Sequence, residues 1–80
     1  MIIGYTTGVF DLFHIGHLKI LNRARENCDF LIVGVTTDDL MMKYKKKTCV
    51  IPFKERSKIV ASIKSVDKVV AQDSMDKLEA

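Results

Sequence analysis

Two histidines, His14 and His17, stand three residues apart in the stretch Thr7-Gly8-Val9-Phe10-Asp11-Leu12-Phe13-His14-Ile15-Gly16-His17. That spacing is about one helical turn, so both rings can face one point. Two imidazoles beside a polyphosphate can donate hydrogen bonds to phosphate oxygens as charge grows on them during displacement. Preorganised donors of this kind are worth roughly 2.7–4 kcal/mol each, by analogy with oxyanion-hole deletions. Gly8 can take φ > 0 and lets backbone N–H groups approach a ligand. Gly16 starts a helix with no side chain in the way, and that N-terminus adds free N–H groups and partial positive charge. The stretch reads as a site for a nucleoside triphosphate whose α-phosphoryl group is transferred.

Other chemistry fits less well. Zinc needs three or four ligands, and no further His or well-placed Cys lies near the pair. The pattern G-x-G-x-x-G is absent, so a dinucleotide site is not supported. A second charged feature is Lys43-Tyr44-Lys45-Lys46-Lys47. A lysine run is often only a solvated face. These four repel one another, and their place next to a phosphate site favours an anion role.

The elements that must position these residues alternate. Residues 2–7 are β-branched and aromatic, a first strand. Residues 16–27 carry Leu18, Leu21, Ala24 and Cys28 at helical spacing, with Lys19, Arg23, Arg25 and Glu26 between them. Residues 30–35 are nearly continuous apolar sequence, as in a strand buried on both faces of a parallel sheet. Thr36-Thr37-Asp38-Asp39 starts a short helix over 38–43, with a hydroxyl cap and carboxylates in the first turn. Residues 44–52 are expected to be a mobile loop closed by Pro52. A helix over 53–64 follows, with Ile59, Val60 and Ile63 inward, then a strand over 66–71 and the start of a helix over 74–80. The order β-α-β-α-β-α implies a parallel sheet with right-handed crossovers. Ligands in such sheets bind beyond the carboxyl ends of the strands. Chain order therefore brings histidines and lysines to one edge.

Eighty residues, 48% apolar and 29% charged, make one small folded domain over 1–80 with no membrane span. The N-terminus reads as a strand, not a signal peptide. Cys28 and Cys49 share no metal or redox spacing, and two unpaired thiols fit a cytoplasmic chain. A net charge of +3 is modest, and no nucleic-acid partner is expected.

The motif Gly8-x-Phe10-Asp11-x-x-His14-x-Gly16-His17 resembles the signature of the cytidylyltransferases, within the superfamily of HxGH nucleotidyltransferases. The glycerol-3-phosphate enzymes are the nearest members. The resemblance continues through Asp29-Phe30-Leu31, Thr36-Thr37-Asp38-Asp39, the lysine run, Glu55-Arg56 and Ser65-Val66-Asp67-Lys68-Val69. It implies a Rossmann-like α/β fold with a three-layer parallel sheet, in which a sheet order of 3-2-1-4-5 is cut short after the third strand. It implies transfer of a cytidylyl group from CTP, with Mg²⁺ bound through the triphosphate, to a phosphorylated alcohol such as glycerol 3-phosphate. On that resemblance His14 and His17 are catalytic. Gly8, Val9, Phe10, Asp11, Ile15, Gly16 and Lys45 join them in binding nucleotide, while Lys43 and Arg56 bind the acceptor. A loop brace is the alternative role for Arg56, and Asp11 would orient its loop through hydrogen bonds to backbone. No metal ligand is expected on the protein itself. Lys64 stands where an arginine is usual, and Met75 near a usual tryptophan. The Ile-Ser-Thr-Thr-like segment that grips the triphosphate is absent from these residues. Three readings follow: a cytidylyltransferase, an ATP-using nucleotidyltransferase, or a non-catalytic binding or oligomerisation module. With no fourth strand the first strand is an apolar edge, so the chain is expected either to be a fragment of a longer protein or to pair that edge with another copy as a homodimer.

Overall fold

The structure is a computed structural model that describes residues 1–73. Three strands, β1 (Ile3–Gly8), β2 (Phe30–Thr36) and β3 (Lys68–Gln72), form one sheet in the order β1-β2-β3. Both pairings are parallel, with Ile3 opposite Phe30 and Ile32 opposite Lys68. This is the first part of the sheet order implied by the resemblance. The helix expected over 74–80, with Met75, lies outside the described residues.

β2 is central, and Leu31, Val33 and Val35 on one of its faces are buried under the helices, whereas Phe30 and Ile32 at the alternate positions are only half-buried, short of the burial on both faces that the sequence suggests. Helix α1 (Ile15–Glu26) connects β1 to β2 and sends Leu21 into that core, and α3 (Phe53–Ala61) adds Val60. Phe10, from the loop after β1, completes the cluster. The core thus sits directly beneath the histidine loop and fixes its floor.

Helix α2 (Asp38–Lys45) runs two residues further than the sequence suggests. Thr37 caps it by accepting the Leu40 N–H at 3.2 Å, with Asp38 and Asp39 in the first turn. Lys43 and Lys45 therefore ride on its last turn, not in a loop, and Lys46 ends it in the left-handed region at φ 52. Helix α3 stops at Ala61 because the chain tightens: Ile63 donates to Val60 O at 3.1 Å, three residues back. Ile63 still packs on the core, while Ile59 faces solvent instead of inward. The third strand begins at Lys68 because Asp67 is used before it. Its N–H donates to Leu31 O at 3.0 Å, its Oδ2 accepts the Leu31 N–H at 2.7 Å, and it pairs with Arg25. Among the described residues no helix is long and apolar enough to cross a membrane.

Candidate active site

The histidine loop leaves the carboxyl end of β1 beside the carboxyl end of β2, where Thr36 Oγ1 donates to Gly8 O at 3.2 Å. Two left-handed residues shape it, Phe10 at φ 54 and Leu12 at φ 51. This corrects the expectation for Gly8, since no glycine here has positive φ. Left-handed backbone costs about 1–2 kcal/mol in a residue with a Cβ. Burial of the Phe10 ring offsets that cost. Gly8 matters for space: a Cβ there would lie 2.8 Å from the Phe10 ring.

His14 is the N-cap of α1, and His17 is the third residue of the helix. His14 Nδ1 accepts the Gly16 N–H at 3.0 Å, and His17 Nδ1 accepts the His14 N–H at 3.1 Å. The pair is a reciprocal capping box built from imidazoles. One amide expected to be free for phosphate is therefore already capped. The compensation is chemical. An Nδ1 that accepts an N–H carries a lone pair, so each neutral ring holds its proton on Nε2. The two rings lie side by side, with centroids 4.1 Å apart, and each keeps an Nε2–H donor. Gly16 makes the arrangement possible, because a Cβ there would stand 2.7 Å from His14 Cε1.

His17 is held edge-on by Phe10, at 5.6 Å between centroids, and at a tilt by Phe13, at 5.2 Å. Burial pushes its pKa below 6.5, and the neighbouring His14 adds to that. His17 is thus kept neutral near pH 7. His14 is more exposed, at the mouth of the loop.

Arg56 is not on the surface. It is 0% exposed, and its guanidinium is fully engaged. Nε donates to Ile51 O at 2.8 Å, Nη1 to Val9 O and Thr36 O at 2.7 Å each, and Nη2 to Asp38 Oδ1 at 2.6 Å. Its assignment to the acceptor phosphate is corrected on that ground: a guanidinium spent on three carbonyls and a carboxylate is the loop brace. It ties together the ends of β1 and β2, the start of α2 and the segment before α3. Asp38 also accepts the Phe53 N–H at 3.0 Å, and this bond holds its carboxyl below the usual range, with Arg56 adding to it.

Asp11 orients backbone in its own loop, at Leu12, and more strongly in a second one. Its two oxygens accept the N–H groups of Val50 and Ile51 at 2.8 and 2.9 Å. Those two bonds, Ile51 first, lower its pKa. Lys43 and Lys45 are exposed, with Lys43 Nζ 5.5 Å from the Tyr44 ring centre. Val9 and Ile15 flank the turn, Val9 offering its carbonyl to Arg56 and Ile15 opening α1. Two surface hollows, one along α1 between Lys19 and Glu26 and one between α3 and β3, do not include the histidines. The histidine loop is an open wall at the sheet edge.

Among the described residues no group of three or more His, Cys, Asp or Glu is placed to hold a metal. The two nearest carboxylates, Asp11 and Asp38, are occupied by backbone N–H groups and Arg56.

Fold and site together define a nucleotidyltransferase domain of Rossmann-like architecture. A family model described as cytidylyltransferase-like matches residues 5–78, and the chain belongs to that family. It is similar to the bifunctional protein HldE of Granulibacter bethesdensis, 45% identical over 69 residues, which are 85% of this chain and 14% of that protein. HldE of Caulobacter vibrioides is 42% identical over 78 residues, 96% of this chain and 16% of that one. Among solved structures, a lipopolysaccharide core biosynthesis protein from Thermoplasma volcanium GSS1 matches with TM-score 0.87 and 28% identity, over 99% of this chain and 64% of that chain. The chain thus spans only 14% to 16% of the length of these curated relatives.

Proposed function

We propose that this chain carries the catalytic wall of an enzyme that transfers a nucleotidyl group from a magnesium-bound nucleoside triphosphate to a phosphorylated alcohol. An oxygen of the acceptor phosphate attacks the α-phosphorus. The bond from that phosphorus to the bridging oxygen breaks, and pyrophosphate leaves with the electron pair. Magnesium, if it arrives with the triphosphate, would supply charge neutralisation there, with no protein side chain proposed to hold it. The Nε2–H groups of His14 and His17 donate to the non-bridging α-oxygens as their charge rises, and no proton need be transferred. Lys45 faces the triphosphate and Lys43 the acceptor phosphate. The observation that carries this reading is the locked imidazole pair, with both Nδ1 atoms spent on the capping box and both Nε2–H groups left over.

CTP is the proposed donor, following the motif and the family description. Likeness to a lipopolysaccharide core biosynthesis protein favours a sugar phosphate over glycerol 3-phosphate as acceptor. ATP is kept as the donor of the second reading, since that likeness does not tie the fold to CTP. Calorimetric titration with CTP and ATP, each with Mg²⁺, separates these. CTP-selective binding supports the first reading and ATP-selective binding the second. Binding of neither supports a non-catalytic module.

Among the described residues β1 pairs with β2 on one side only, and its Ile3 and Tyr5, with Ile2 just before it, are exposed. Open parallel edges attract strands, so a second copy of the chain is the proposed partner in solution. Sedimentation at micromolar concentration tests this, and a clean monomer with a cooperative melt would count against it.

A further inference from the structure

We propose that Asp11 is a positioning residue that latches the lysine-bearing segment to the histidine loop, so that the two anion-binding parts close as one body. Asp11 lies between the left-handed residues Phe10 and Leu12, a turn in which the carboxylate bonds across to residues 50 and 51. Those partners are 39 and 40 residues later in the chain. Val50 and Ile51 each give their N–H to one carboxylate oxygen, at 2.8 and 2.9 Å. Ile51 is gripped from its other side as well, because its carbonyl accepts from Arg56 Nε at 2.8 Å. The same guanidinium takes the carbonyl of Val9, two residues before Asp11, at 2.7 Å. The contacts close a ring from Val9 through Asp11, Ile51 and Arg56 back to Val9.

That ring gives the lysine segment two ends. The near end is the start of α2, fixed by Thr37 and by Asp38 on Arg56. The far end is the pair of amides on Asp11. Lys43, Lys45, Lys46 and Lys47 lie between them. A carboxylate is suited to this task, because it offers two acceptors in a fork. An amide in its place offers one acceptor and turns an NH₂ toward the second N–H. A mobile segment would carry its lysines away from a triphosphate, whereas a latched one holds them at the sheet edge before the ligand arrives.

The first test needs no nucleotide. Hydrogen exchange at the Val50 and Ile51 amides is compared in the wild-type chain and Asp11→Ala, with Val33 and Val35 of β2 as the measure of global opening. Exchange at 50 and 51 should rise at least about tenfold with β2 unchanged; unchanged exchange at 50 and 51 overturns the latch. If Asp11→Ala also opens β2, Asp11→Asn is read in its place. It should free one of the two amides, and protection of both overturns the proposal. The second test rests on the nucleotide-binding reading. Affinity for magnesium CTP and magnesium ATP is measured for wild type, Asp11→Ala, Lys45→Ala and the double variant. Each single change should weaken binding, and the double should be little weaker than Asp11→Ala, because unlatched lysines contribute little. Additive losses would show that Asp11 does not act through the lysines. A wild-type chain that binds neither nucleotide while its Asp11→Ala variant exchanges faster refutes the proposed function and leaves the latch standing.

Discussion

His17 Nδ1 accepts the backbone N–H of His14 at 3.1 Å, so the second histidine fixes the backbone from which the first projects. The bond requires an unprotonated Nδ1. Acid pH that charges His17 must break it or turn the ring. His17 has a pKa below 6.5 in the folded chain, through burial first and His14 second. Between that depressed value and 6.5 the folded chain binds fewer protons here than the unfolded one, so stability rises with pH. The contribution is fully present above 6.5 and is lost as pH falls through the folded value. Ring resonances followed by NMR should give a His17 midpoint below 6.5, and the first turn of α1 should loosen over the same range. A midpoint at or above the free-histidine value would remove the basis for this claim.

His14 has two separable jobs, capping the helix and donating from Nε2. His14→Asn keeps a side-chain oxygen that can cap, whereas His14→Ala removes both. Loss of an N-cap costs about 0.5–2 kcal/mol, so the alanine variant should melt earlier and the asparagine variant near wild type. Both should lose turnover roughly 100- to 1000-fold if the imidazole acts in the transition state. KM for the triphosphate should move much less. Steady-state kinetics with the reading frame that supports activity would decide it: equal losses in kcat and in affinity argue against transition-state stabilisation.

How much of this was legible in the sequence follows from the range of each signal. β2 is plain as a strand because its apolar run is local, but its burial is not: the Leu31, Val33 and Val35 face lies under both helices, while Phe30 and Ile32 are only half-buried. The histidine pair was plain because the helical turn that joins His14 and His17 is local. The role of Arg56 was not, since it depends on three carbonyls meeting from Val9, Thr36 and Ile51. Nothing local distinguishes that arginine from Arg23 on the solvent face of α1. The reach of Asp11 to Val50 and Ile51 is hidden for the same reason. Positive φ is expected at Gly8, its usual kind of carrier, yet it falls at Phe10 and Leu12. Here tertiary packing of the Phe10 ring decides instead.

Arg56 should be a stability residue before it is anything else. Removing it strands Asp38 and leaves the carbonyls of Val9, Thr36 and Ile51 without their donor. Breaking a buried ion pair from one side costs about 3–5 kcal/mol. Asp38 is half exposed, so water can recover part of its share. Stability for domains of this size is only about 5–15 kcal/mol. Urea unfolding of Arg56→Ala should therefore show a large fall in midpoint. Arg56→Lys should fall between it and wild type, because an ammonium lacks the planar fork. An Arg56→Ala chain that keeps its midpoint and loses only triphosphate affinity would restore the phosphate-ligand role.

Gly16→Ala sets two local effects against each other. Alanine is a better helix former than glycine, by about 1 kcal/mol in a helix interior, which should favour α1. The new methyl would stand 2.7 Å from His14 Cε1 and 3.1 Å from Nδ1. The His14 ring is exposed and can rotate away, so the clash should be relieved by moving the catalytic side chain and not by unfolding. Thermal stability should then stay near wild type while His14 loses its cap and its place beside His17. A displacement of about 1 Å can cost roughly 100-fold in rate, and a loss of that order is expected in turnover. The NMR signature is specific: the Gly16→Ala amide should lose the shift caused by bonding to Nδ1. A variant that keeps full activity would mean that His14 works from a position other than the capping box.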